Sequence, residues 1–175
     1  IEQEGTYPLP EAQLDRFMLH VRVEYPDKKA SQKILALARR EAQDALEDHT
    51  PAAIVKVTQA QVFAARREVM RLHLAEAVEE YIVELVETTR NPGNYGEELA
   101  NWVRWGASPR GAIAIERAAR ANAWLVGRDF VTPEDVQKVT PDALRHRVLL
   151  NYEATADGIT SQQCIEEILS RVPAP

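Results

Sequence analysis

Two arginines stand where a guanidinium could do chemistry. In Ser108-Pro109-Arg110 the serine and proline fix a helix start, and Arg110 falls in its first turn. A cation there meets the positive end of the helix dipole. It is disfavoured unless an anion is shared between the side chain and the exposed backbone N–H groups, and phosphate suits that role. The plainer account is an ion pair with a nearby carboxylate, or a side chain in solvent. Arg16 stands beside Asp15, directly before an alternating apolar run. On physics alone, an ion pair with Asp15 or Glu11 is the simpler expectation for it.

Other chemistries find no support. Cys164 is the only cysteine, which excludes an internal disulfide and a cysteine metal cluster and fits a reducing compartment. His20, His49, His73 and His146 lack the spacing of a zinc site, and no metal site is expected. No GxxxxGK[ST] run is present, nor an acidic pair placed to hold Mg2+ beside one. No apolar run is long enough to span a bilayer, so membrane insertion is not expected and the cytoplasm is the default location. A net charge of −6 gives no overall positive field for nucleic acid, although Arg110, Arg117 and Arg120 could form a stripe on one helix. Trp102 and Trp105 are expected to pack against a helical core, and Arg145-His146-Arg147 to be a solvated helix end.

The elements that must position these residues are mostly helical. Phe17, Leu19, Val21, Val23 and Tyr25 alternate with polar neighbours as a strand would, and Pro26 ends the run. With no second strand of comparable quality, this one should belong to a sheet lying upstream. Left by itself it should pair with another copy, refold or become mobile. Ala30, Ile34, Leu37, Ala38, Ala42, Ala45 and Leu46 mark a helix of about 20 residues. Thr50-Pro51 interrupts it, Ile54 to Val57 is an apolar link, and Thr58 caps the next helix. Leu74, Ala77, Val78, Tyr81, Ile82, Leu85 and Val86 form the cleanest amphipathic stripe, which ends at Asn91-Pro92-Gly93-Asn94. The helix from Ala112 to Val126 is apolar enough to be central. Thr132-Pro133-Glu134-Asp135, Thr140-Pro141 and Thr160 to Gln163 each read as a helix start.

The run from Ile1 to Phe17, IEQEGTYPLPEAQLDRF, closely resembles the MoxR family of AAA+ ATPases just downstream of that family's sensor-1 asparagine. Gly106 to Arg110 resembles the family's sensor-2 motif, with Gly111 where alanine is expected. Gly127 to Val136 and Leu144-Arg145-His146-Arg147 resemble its closing helices. The resemblance covers about residues 1 to 152. It implies a mainly α chain, a helical AAA+ lid with one N-terminal strand left from an α/β P-loop core. Residues 1–26 would be the core remnant, 27–157 the lid with sensor 2, and 158–175 a C-terminal helix and tail. Beginning at Ile1 without an initiator Met, the chain reads as a piece of such an ATPase, inactive alone and binding no nucleotide tightly alone.

By the same resemblance Arg16 is the arginine finger, acting in trans on ATP held by a neighbouring subunit. Arg110 is sensor 2, acting in cis. The parent would use ATP and Mg2+, assemble as a homo-oligomeric ring, expected to be a hexamer, and remodel or assemble client proteins. Those clients could include von Willebrand factor A domain proteins. The rival reading from another class is a free-standing helical interaction module in which both arginines are structural.

Overall fold

The computed structural model describes residues 7, 9–46 and 56–175. Two compact units emerge, one of Ile1–Val21 with Ala64–Pro175, the other of Arg22–Phe63. The smaller unit contains α2 (Lys28–Leu46), 19 residues long, as the apolar spacing predicts. Asp27 caps its start, its carboxylate accepting from the Ala30 N–H at 2.6 Å. None of its residues is buried, and Ile34, Leu35 and Leu37 are exposed. The expected break at Thr50-Pro51 lies outside the described residues. The next helix, α3 (Gln59–Arg71), starts with a reciprocal cap: Thr58 N–H donates to Gln61 Oε1 at 2.8 Å, and Gln61 N–H to Thr58 Oγ1 at 3.3 Å.

The larger unit is built around α6 (Pro109–Leu125), with α4 (Glu76–Arg90) and α7 (Pro133–Leu144) packed on it. The stripe foreseen on α4 is its core face: Val78, Tyr81, Ile82, Leu85 and Val86 are buried. The helix α6 is central. Its buried Gly111, Ala114, Ile115, Ala118, Ala119 and Ala123 are small enough to bring α4 and α7 close. Ile115 is the one large side chain among them. A short helix, α5 (Glu97–Trp102), leads into β1 (Val103–Trp105), which pairs antiparallel with β2 (Leu149–Leu150). After α8 (Tyr152–Ala156), α9 (Ser161–Arg171) closes the core with Cys164, Ile165 and Ile168, all fully buried. Burial raises the Cys164 thiol to about 11, so it behaves as a small apolar side chain.

The mainly α class agrees with the sequence reading, but three local expectations need correction. Residues 17–25 form no strand. A strand needs a ladder, and within this unit the carbonyls of Phe17, Met18 and His20 accept from side chains at the end of α7 instead. Phe17, Met18 and Leu19 remain exposed. The sheet that does form, β1 with β2, was not foreseen. Thr140-Pro141 does not restart a helix either. Pro141 instead lies inside α7, where it leaves out one i→i−4 backbone bond without ending the helix, and the Thr140 hydroxyl donates to Val136 O at 2.7 Å. Trp102 is half-buried against the core, whereas Trp105, expected to pack, is exposed, because the chain leaves the helix at Val103 and turns its side chain to the outer face of β1.

A further short helix, α1 (Glu11–Leu14), carries the chain to Asp15 and Arg16. The Arg16 N–H donates to Gln13 O at 3.1 Å, so Arg16 sits in the turn that ends α1.

Candidate functional site

The N-terminus of α6 is assembled as the sequence predicts. Ser108 is the N-cap in extended conformation, its hydroxyl accepting the Arg110 N–H at 3.1 Å, and Pro109 is the first helical residue. The loop before it is fixed to the end of α4. The Ala107 N–H donates to Thr89 Oγ1 at 2.9 Å, and Arg90 Nε donates to Ala107 O at 2.8 Å. Gly106 makes this contact possible, because a Cβ there would lie 2.3 Å from Thr89 O. Gly111, where the resemblance leads one to expect alanine, also has a local reason. A Cβ there would meet Ala107 Cβ and Leu144 Cδ2 at 3.1 Å each, tighter than ordinary packing.

An anion does sit at this helix end, and it is Asp15. The Ser108 hydroxyl donates to its carboxylate at 2.8 Å, Arg147 Nε donates to Oδ1 at 3.0 Å, and Arg110 Nε lies 3.7 Å from Oδ2. The simpler expectation for Arg110, an ion pair with a nearby acid, is therefore met in this chain. The pair is loose: the Arg110 side chain is 55% exposed and its distance exceeds hydrogen-bond range. Arg16 differs. It is exposed and makes no ion pair among the described residues, so the expected pairing with Asp15 or Glu11 is not formed.

Arg145, His146 and Arg147 are the functional surprise, since the sequence suggests a solvated helix end. The Arg147 side chain is only 2% exposed. Its Nη2 donates to Asp15 O at 2.8 Å and to Phe17 O at 2.6 Å, and its Nη1 donates to Met18 O at 3.2 Å and also to Ala143 O. One guanidinium thus grips the backbone on both sides of Arg16. A planar fork with five donors can do this; lysine cannot. Burial pushes the Arg147 pKa down, while Asp15 acts against that shift. Beside it, Arg145 Nη1 donates to His20 O at 2.6 Å and His146 Nε2 lies 3.0 Å from Phe17 O. Burial lowers the His146 pKa, so the neutral ring donating to Phe17 O is favoured. The only sequence signal for this role was the density of cations at a helix end, where they can also satisfy last-turn carbonyls.

Chemically, the arrangement offers a helix N-terminus and one half-exposed guanidinium to an anion, with a second guanidinium on a gripped turn next in sequence to the same carboxylate. Its own carboxylate already occupies the anion position, which shows that the donor set fits an oxyanion. Among the described residues no group of acidic, histidine or cysteine side chains is placed to hold a metal ion.

Residues 100–168 match the AAA lid domain, a stretch that runs from α5 through β1, α6 and α7 into α9. The whole chain aligns with Chaperone MoxR1 of Mycobacterium tuberculosis at 38% identity, covering 45% of that protein, and with YeaC of Bacillus subtilis at 38%, covering 50%. The chain belongs to the MoxR family. Protein MoxR of Methylorubrum extorquens is 34% identical over 100% of the chain and 53% of its own length. This MoxR-family chain also superposes on a Cytophaga hutchinsonii crystal structure, of a protein provisionally assigned as an ATPase, with a TM-score of 0.87 at 43% identity. The match covers 100% of the chain and 52% of the other. The chain thus spans about half the length of the curated relatives it matches. No helix among the described residues is long and apolar enough to cross a membrane.

Proposed function

We propose that this chain is the lid and the trans-acting portion of a MoxR-type AAA+ ATPase, with ATP as substrate and Mg2+ held by the half of the relatives that the chain does not span. Arg110 is the sensor-2 residue, acting in cis on the nucleotide of its own subunit. Arg16 is the arginine finger, acting in trans across a subunit boundary. The observation that carries the reading is the contrast between the two guanidinium groups. Arg16 is exposed and makes no ion pair among the described residues, in a turn whose backbone is held on both sides by Arg147. Arg110 sits at a capped helix N-terminus that already accommodates a carboxylate.

A guanidinium delivered to the transferred phosphoryl group stabilises charge building on its equatorial oxygens, an effect on the order of 10³ to 10⁵ in comparable enzymes. The lid then couples nucleotide state to the angle it makes with the phosphate-binding core. The parent assembles as a homo-oligomeric ring, of hexameric stoichiometry, and remodels or assembles client proteins, von Willebrand factor A domain proteins among them. The name Chaperone MoxR1 carried by one relative supports that class of work.

Steady-state ATP hydrolysis by the full-length protein tests the assignment. Arg16→Ala and Arg110→Ala should each lower the rate by about 10²-fold or more, and mixing the two mutant proteins should restore part of it. Mixing recovers activity only if Arg16 serves a neighbouring site. Unchanged rates in both variants would leave the rival reading, a helical interaction module without nucleotide chemistry, as the better one.

A further inference from the structure

The two arginines of the proposed site share one neighbour. We propose that Asp15 is a positioning residue that couples them, holding Arg110 when no terminal phosphate does and passing the loss of that contact to the turn that bears Arg16. The inference rests on the roles proposed above for Arg16 and Arg110.

The Asp15 carboxylate has a firm side and a loose side. Arg147 Nε at 3.0 Å and the Ser108 hydroxyl at 2.8 Å are within hydrogen-bond range, and the Arg147 side chain is buried. Arg110 Nε at 3.7 Å is beyond that range, and its side chain is mostly in solvent. A terminal phosphate carries more charge than one carboxylate and offers several acceptor oxygens, so it outcompetes Asp15 for Arg110. Diphosphate without that terminal group competes less well. With the terminal phosphate bound, the carboxylate keeps only Arg147 as its cationic partner and draws on it more strongly.

Arg147 is not free to answer Asp15 alone. The same guanidinium holds Asp15 O, Phe17 O and Met18 O, the carbonyls that bracket Arg16. Any tightening of the carboxylate on Nε redistributes those bonds and moves the turn. Nucleotide state in cis thereby biases the placement of Arg16 in trans, and by linkage the engagement of Arg16 alters nucleotide affinity in cis. The chain needs no long pathway for this, because Asp15 and Arg16 are consecutive residues.

Equilibrium binding of a non-hydrolysable ATP analogue and of ADP to the full-length assembled protein tests the coupling. Asp15→Asn, which keeps shape and hydrogen-bonding capacity but removes the competing charge, should tighten the analogue by about two- to fivefold and leave ADP nearly unchanged. That gain should vanish in the Arg110→Ala background. Amide exchange across residues 13–20 should differ between analogue-bound and ADP-bound wild type and be the same in both states of Asp15→Asn. A variant that weakens both nucleotides alike, or that keeps the wild-type exchange difference, would overturn the coupling. Asp15→Ser, smaller and neutral, repeats the measurement; failure of both variants to assemble would make Asp15 a structural clamp and equally overturn it. Should Arg110→Ala bind the analogue as tightly as wild type, the sensor role of Arg110 falls. If it binds weakly while Asp15→Asn changes nothing, that role stands and only the coupling is lost.

Discussion

The unit contains two aspartates caged by arginine at helix N-termini, and they are built to different ends. At the start of α7, Asp135 is 3% exposed and receives both arms of Arg128 at 2.6 Å, Asn122 Nδ2 at 2.6 Å and the Thr132 N–H at 2.9 Å. At the start of α6, Asp15 is 25% exposed, and one of its two arginines stands off at 3.7 Å. Every acceptor site of Asp135 is matched, so nothing is gained by moving a partner away. The Asp15 cage keeps one exchangeable ligand. Closure marks a structural node and incompleteness marks a working one, although both cages combine arginine with a helix-capping hydroxyl residue.

The largest effect should come from opening the closed cage. Desolvation alone would raise the Asp135 pKa, but Arg128, the Thr132 N–H and Asn122 together outweigh it and hold it at about 2. A carboxyl depressed from 3.8 in this way contributes on the order of 2 kcal/mol, fully present above about pH 4 and lost as pH falls through about 2. Asp135→Ala should lower unfolding free energy by about 2–3 kcal/mol at pH 7, read from the denaturant midpoint, and flatten the acid limb between pH 4 and 2. An unchanged acid limb would show that the cage contributes nothing through charge.

A smaller, local effect is expected at Arg147. Arg147→Ala should cost about 1–3 kcal/mol and release residues 15–20, so that the His20 amide, which now donates to Asp142 O at 2.8 Å, exchanges faster while the amides of α4 stay protected. Global loss of protection would make Arg147 part of the core and not the holder of one turn. Arg110→Ala should be the mildest for folding, within about 0.5 kcal/mol in thermal or denaturant unfolding, because a half-exposed ion pair beyond hydrogen-bond range contributes little. A large destabilisation there would erase the distinction between the two cages.

The residues that were legible in sequence are those whose partners lie within a turn. Ser108-Pro109, Thr132 with Asp135, and Thr160 with Gln163 announce helix starts because cap and acceptor are three residues apart or fewer. Arg16 and Arg110 were singled out as candidates in the same local way, with the resemblance supplying the roles proposed for them. What escaped depends on contacts across the chain. Alternation from Phe17 to Tyr25 describes side chains and says nothing about whether a ladder partner exists. Val103 pairs with Leu150, and Arg147 reaches Asp15, over separations that no window of pattern covers. Trp105 misled because two tryptophans three apart look helical, while the chain changes from α5 to β1 between them.

Gly106 carries a mechanical consequence. With no side chain there, the backbone before α6 rests directly on the last turn of α4, and the Thr89 hydroxyl and Arg90 side chain take hold of Ala107 from either side. The joint is closely packed and held by two hydrogen bonds. A rotation of α4 reaches the first turn of α6 through these contacts, so the aim of Arg110 depends on the orientation of a neighbouring helix. Leverage of this kind lets a rigid pair of helices act as the handle of a tool whose tip is a single side chain.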